Sequence, residues 1–371
     1  MQKKWTSIFA LLAVAAACNN APKGEQDSTG NEAIDSLATE NSLAYEGESH
    51  LANIRQLTDG GDNAEAYFSF DGSKAVFQSN WDQWGLECDQ IFYFNIEDDN
   101  LMEQKPPMIS TGMGRTTCSY FMPGDTTIVY ASTHLGGEAC PPEPGRELGY
   151  VWPIYDSYDI FVADLEGNII DTLTTEPGYD AEPTVSPNGD KIVFTSTRSG
   201  DLELWTMNLD GSDKRQVTTG LGYDGGAFFS PDGKKLVFRA SRPETEEEQA
   251  EYKDLLSRDL VKPSAMEIYV CNVDGSELTK VTDLGNANWA PFFHPSGEKI
   301  IFSSNHRSRR GFPFNLFMIN VDGTGLEQIT QDEQFDAFPM FSPDGKKLIF
   351  SSNRNNGGTR NTNLFIADWV E

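Results

Sequence analysis

From about residue 53 onward, apolar and polar positions alternate in short bursts that come in pairs, each pair joined by a tight turn. Residues 335–354, FDAFPMFSPDGKKLIFSSNR, show the grammar in full: an apolar run, Ser-Pro-Asp-Gly, then Leu348, Ile349 and Phe350, then small polar residues and Arg354. This pattern predicts a β-hairpin. Proline at the second turn position presets φ, aspartate tolerates the bend, and glycine supplies the positive φ that chain reversal needs.

Five other stretches repeat this grammar. The turn glycines are Gly72, Gly124, Gly189, Gly233, Gly297 and Gly345, with spacings of 52, 65, 44, 64 and 48 residues. The unit is therefore about 44 to 48 residues with two long insertions, the length of a four-stranded propeller blade. A third alternating run follows each hairpin, at 91–96, 158–165, 202–209, 267–273, 315–321 and 363–368. Short fourth strands ending in threonine follow at 172–174, 215–218, 279–282 and 327–330, with 108–110 a degenerate version in the first unit. The sixth unit has no fourth strand after it, yet residues 53–58, NIRQLT, read as a fourth strand placed before the first hairpin. Such a strand would complete the last sheet and leave no open edge. An open solenoid would give it no purpose. The expected fold is all-β: a six-bladed β-propeller over residues 51–371, its last blade closed by the N-terminal strand, with one short helical insertion in blade 4.

The units resemble the TolB-type propeller repeat, whose inner hairpin reads Pro-x-Phe-Ser-Pro-Asp-Gly-Lys-Lys-Leu-x-Phe. Residues 230–238 and 342–350 match closely, 186–194 and 294–302 with changes, and the first two units diverge. The resemblance covers the chain from about Asn53 and implies a WD-repeat-like propeller of the cell envelope. Proteins of the TolB type carry an α/β domain before the propeller; a tether is expected in its place here.

The N-terminus and the charge add a compartment. Lys3 and Lys4, an apolar run over 8–14 and Ala15-Ala16-Ala17-Cys18 read as a secretory signal whose small residues before the cysteine resemble a lipoprotein processing site. Residues 1–18 are thus expected to be a signal peptide with Cys18 the lipidated residue, and residues 19–50 a flexible, solvated tether. The lipid would be the membrane contact, placing the protein in the outer membrane, facing the periplasm or the cell surface. A formal net charge of -29 would repel a polyanion, so nucleic acid is not an expected partner. A monomer is expected.

Both insertions, 134–155 and 242–264, fall after second strands and so crowd one rim. The first holds Cys140, Pro141, Pro142, Pro144, Trp152 and Pro153, a proline density incompatible with a helix. An exported setting permits a disulfide among Cys88, Cys118 and Cys140, with Cys118–Cys140 preferred, then Cys88–Cys118; Cys271 reads as a buried thiol. The second insertion has Thr245 and Glu248 at capping-box spacing before Tyr252, Leu255, Leu256 and Leu260, predicting a short helix from near Glu246 that buttresses the rim.

Candidate chemistry sits on the same rim. The ninth residue before each turn glycine is Asn63, Arg115, Asp180, Asp224, Asn288 or Asp336, and the ninth after it is Trp81, Thr133, Arg198, Arg242, His306 or Arg354. Two readings stand: ion pairs between neighbouring blades, or a ligand funnel of mixed charge. The funnel reading enlists Glu65, Trp81, His134, Asp180, Glu182, Arg198, Asp224, Arg242, His306, Asp336 and Arg354, with Tyr179, Tyr223, Phe335 and Trp289 as aromatic faces. Arg307, Arg309 and Arg310 form a solvated loop or an anion contact.

Motifs of catalysis are missing. There is no Gly-x-Ser-x-Gly, no His-Glu-x-x-His and no phosphate loop among the 371 residues, and only four histidines. No spacing supports a metal site or a cofactor. The expected function is a lipid-anchored module that binds an envelope protein, a peptide or a glycan. The alternative is a polysaccharide lyase or hydrolase using an acidic residue with His134 or His306 in the funnel.

Overall fold

The computed structural model describes residues 43–98, 103–309 and 311–371. It is a six-bladed β-propeller with one α-helix among the described residues. Cys18 and Arg310 lie outside them.

Each blade runs outward from an innermost strand, and blade 3 is typical: Asp180–Val185, Lys191–Ser196, Glu203–Asn208 and Arg215–Gln216 in that order. Blade 1 has three strands, Asn63–Phe68, Lys74–Ser79 and Gln90–Asn95, and Met108 contributes a single bridge to Phe92 where a fourth would lie. Blade 6 is built from both ends of the propeller. Leu51–Gln56 pairs antiparallel with Asn363–Trp369, Leu51 opposite Trp369 and Gln56 opposite Phe365. Leu57 and Leu364 extend the join, N–H to carbonyl at 2.8 Å. The exposed edge of the last sheet is thereby paired.

The turns show why the repeat needs its residues. In blade 6 the Ser342 hydroxyl donates to Asp344 at 2.7 Å and accepts from the Lys347 amide at 2.9 Å, while Gly345 sits at φ 72°. The Ser342 hydroxyl and the Lys346 amide hold the Asp344 carboxyl below its usual range. A Cβ on Gly345 would lie 3.3 Å from Pro295 of the preceding blade, and one on Gly72 would lie 3.3 Å from Pro343, so turn follows turn around the ring across the 6-to-1 seam. Blade 2 departs from the glycine alignment. There Asp125, at φ 56°, takes the left-handed position, and its amide bonds the Met122 carbonyl as Gly72 bonds Ser69. The repeat register in blade 2 is therefore one residue later, and Thr116 and His134, not Arg115 and Thr133, occupy the rim positions. Aspartate is among the few residues that accept this conformation, and its carboxylate also takes the Phe70 and Asp71 amides of blade 1 at 2.8 and 3.0 Å.

The two insertions meet. Trp152–Pro153 and Leu260–Val261 form a two-stranded antiparallel sheet of their own, so both excursions share one rim. The helix Glu246–Leu256 starts on a capping box between Thr245 and Glu248, as the spacing predicts. It is pinned, with Leu255 buried against Val151 and Leu260, and the Tyr252 hydroxyl bonded to Asp201. Residues 43–50 are packed on blade 6, where Glu48 is buried. No described helix is long and apolar enough to cross a membrane.

Candidate functional site

In every innermost strand the register slips after the second residue, and the third residue has a left-handed backbone: Glu65 φ 55°, Cys118 φ 44°, Glu182 φ 58°, Gly226 φ 59°, Ala290 φ 45° and Phe338 φ 53°. A bulge of this kind re-aims a side chain. Here it turns six equivalent positions onto the central channel, where all six line one cavity of about 720 Å³ that the insertions roof.

The floor of the cavity is polar. Glu182 accepts from Thr195 Oγ1 at 2.6 Å, the Tyr223 hydroxyl at 2.9 Å and the Gly226 amide at 2.8 Å, and is ion-paired with Arg239. This pairing overcomes burial and holds the Glu182 carboxyl below its usual range. Arg239 reaches the channel because blade 4 has glycine at the bulge: a Cβ on Gly226 would lie 1.8 Å from Arg239 Nη1. Its guanidinium also lies over Trp152 at 5.3 Å and Tyr223 at 5.0 Å.

Glu65 stands differently. The Cys118 thiol neighbours its carboxyl, while its Oε2 is buried with no hydrogen-bond partner among the described residues. Burial drives its carboxyl up to about 7, with Glu182 adding to the rise and Arg239 opposing it. Beside it, Asp89 faces Arg115 at 3.8 Å, and Arg115 pairs with Glu143 of the first insertion.

The walls are aromatic. Trp152 lies 5.2 Å from Trp289, which stacks on Phe314 at 4.4 Å and donates its indole N–H to the Pro263 carbonyl. Tyr158 meets Tyr179 edge-on at 5.6 Å. At the lip, Tyr150 is 69% and Phe312 62% exposed, so the opening offers apolar surface to solvent.

The sequence-derived candidates divide. Glu65 and Glu182 line the cavity; Trp81, His134, Asp180, Arg198, Asp224, Arg242, His306, Asp336 and Arg354 do not. The expectation of ion pairs between neighbouring blades is corrected: Arg198 pairs with Asp180, Arg242 with Asp224 and Arg354 with Asp336, each inside one blade. The pair joins the ends of two hydrogen-bonded strands, which lie closer together than adjacent blades. His134 and His306 occupy the arginine slots of blades 2 and 5. Each ring bonds a serine, Ser132 at 2.9 Å and Ser304 at 2.8 Å, and packs on a phenylalanine, Phe161 at 4.4 Å and Phe317 at 4.5 Å. Trp81 covers Gly60 and Gly61, and Arg307 lies over Phe317 at 5.3 Å. No group of three His, Cys, Asp or Glu side chains among the described residues could hold a metal ion.

The disulfide is also a correction. Cys88 bonds Cys140, and Cys118 is a buried free thiol, as is Cys271. The bulge turns Cys118 toward the channel and Glu65, whereas the first insertion runs back over blade 1, its Glu138 carbonyl accepting from the Gly114 amide at 2.8 Å. Arg239 and Cys118 were not among the ligand candidates. Arg239 had a signal: other blades place Gln78, Ala131, Thr195, Ser303 or Ser351 at its position, and the one arginine coincides with the one glycine at the bulge.

Comparison with known proteins follows the same lines. A model of the TolB beta propeller domain matches residues 141–262 and 260–361. The chain belongs to the TolB β-propeller domain family. Among solved structures, this TolB-type propeller is similar to a protein assigned as TolB from Agrobacterium tumefaciens, at 18% identity and a TM-score of 0.53, over 84% of this chain and 91% of that one. It is also similar to an oligogalacturonate lyase in complex with manganese, at 14% identity and a TM-score of 0.52, over 87% and 94%. At such identities the likeness is one of fold. No curated protein sequence matches the chain.

Proposed function

We propose that this TolB-type propeller is an exported, lipid-anchored binding module that takes an envelope protein, peptide or glycan segment into the roofed cavity. The observation that carries this reading is the joint construction of the cavity. Both insertions pair with each other above the channel and contribute Trp152, Tyr155 and Pro263 to walls whose floor is Glu65, Glu182 and Arg239. Concave, aromatic-lined sites with a few placed polar groups are the usual form of a ligand site. Anchorage through Cys18 fits the signal-like N-terminus.

Trp152→Ala is the test. Purified protein should capture a partner from solubilised envelopes or a peptide or glycan panel, and the variant should lose it while keeping its melting transition. Capture that is unaffected would overturn the reading.

One observation favours a second reading, catalysis on a glycan. A carboxyl raised to about 7 inside a cleft is suited to general acid–base work. Glu65, rather than His134 or His306, would carry it. Incubation with oligogalacturonate and other acidic oligosaccharides separates the readings: shortened products that vanish in Glu65→Gln protein would favour the enzyme.

A further inference from the structure

The charges of the cavity do not balance. Glu182 is compensated by Arg239 and Asp89 by Arg115, but among the described residues no ion pair reaches Glu65 or, at the cavity's edge, the exposed Asp62. The Glu65 Oε2 atom is buried without a hydrogen-bond partner, and its neighbour Cys118 supplies only a weak S–H donor. Leaving a carboxylate oxygen unmet in such a place is costly. The same cavity shows how a cation would sit. Arg239 approaches Glu182 with its guanidinium face on Trp152 and Tyr223, and Tyr158, Tyr179 and Trp289 present further aromatic rings around the open part of the channel. An acidic ligand would find both arginines already engaged and four carboxylates, Asp62, Glu65, Asp89 and Glu182, around the cavity.

We propose that Glu65 is the recognition group for a positively charged arm of the ligand, an ammonium or guanidinium on an apolar stem such as a lysine or arginine side chain. The stem would lie along the aromatic walls and the charge would meet Oε2. This inference rests on the cavity being the binding site and names the chemistry it selects.

The test uses two N-acetylated, C-amidated pentapeptides, Ala-Ala-Lys-Ala-Ala and its norleucine counterpart, so that the lysine side chain is the one cation in either, titrated into the purified full chain in detergent at pH 8, with tryptophan fluorescence and calorimetry as readouts. The lysine peptide should bind at least tenfold more tightly, and Glu65→Gln should abolish that difference. The glutamine is isosteric, and a melting curve confirms its fold. Equal binding of the two peptides, preference surviving in Glu65→Gln, or binding of neither peptide would each overturn the proposal. Envelope-partner capture that still depends on Trp152 in any of those cases would leave the binding reading standing, so the two failures are distinguishable.

Discussion

Arg354 and Glu48 meet in a two-pronged ion pair, Nη1 to Oε2 at 3.1 Å and Nη2 to Oε1 at 3.0 Å, although 306 residues separate them. Nη2 also reaches Asp336 at 3.1 Å, so one fully buried guanidinium ties the N-terminal segment to the last blade. Without Glu48 the guanidinium would keep Asp336 as its counter-ion but lose both hydrogen bonds to the glutamate, each worth about 1.5 kcal/mol or more. Glu48→Ala should lower stability by about 3 kcal/mol in urea unfolding. Deleting residues 43–58 should remove the cooperative transition altogether. An unchanged melt would show that closure does not depend on that strand.

Gly226 and Arg239 should behave as a unit. Gly226→Ala places a methyl 1.8 Å from Arg239 Nη1 and forces a left-handed backbone on alanine. In Arg239→Ala protein the clash is gone, and the same glycine change should cost only the backbone term, about 1 kcal/mol. A double-mutant cycle on urea unfolding measures the difference. Additive effects would mean that the guanidinium does not occupy the space the glycine leaves.

The covalent link at Cys88–Cys140 closes a loop of 52 residues. Chain-entropy reasoning gives about 4 kcal/mol for a loop of that length. Alkylation under unfolding, non-reducing conditions followed by peptide mapping should label Cys118 and Cys271 and spare Cys88 and Cys140. Cys140→Ser should lower stability, and Cys118→Ser should leave the disulfide in place.

Glu65 predicts an unusual dependence on pH. Its carboxyl is raised to about 7 in the folded protein from 4.5. The folded state therefore holds this proton more tightly than the unfolded chain, and the contribution to stability is present below about pH 4.5 and is lost as pH rises to about 7. Cys118, Glu182, Arg239, Asp89 and Tyr67 are the titratable and charged groups that act on it. Above pH 7 the ligand-free Glu65→Gln protein should be more stable than the parent, by up to about 3 kcal/mol, while binding the lysine peptide less well. Urea melts of the parent and the variant at pH 4.5 and pH 8 check the sign. Equal pH dependence in the two proteins would rule out Glu65 as the source.

Much of the molecule can be read residue by residue. Six hairpins, the Ser-Pro-Asp-Gly turns of blades 4 and 6 and the helix start at Thr245 follow from periodicity and turn chemistry acting within about ten residues, and the displaced strand that completes blade 6 follows from the count of strands per repeat. Even the shared rim of the two insertions follows from strand parity. The exception within this local scale is the blade 2 register, where Asp125 replaces glycine at the left-handed position.

Membership of the cavity is legible only in part: Glu65, Glu182, Tyr179, Tyr223, Trp289 and Phe335 line it, whereas the ion-paired rim residues of blades 3, 4 and 6 do not. A bulge reverses which side chain meets the channel, so Glu65, Cys118 and Glu182 point inward, while the rim aspartates and arginines close their own blades. The disulfide partner, the seat of Arg239 and the roof formed by Trp152–Pro153 on Leu260–Val261 each depend on residues tens to more than a hundred positions apart. Linear order encodes the strands and turns because their hydrogen bonds are local. It leaves the site open because that is assembled from six blades and two loops whose meeting is set by closure of the ring.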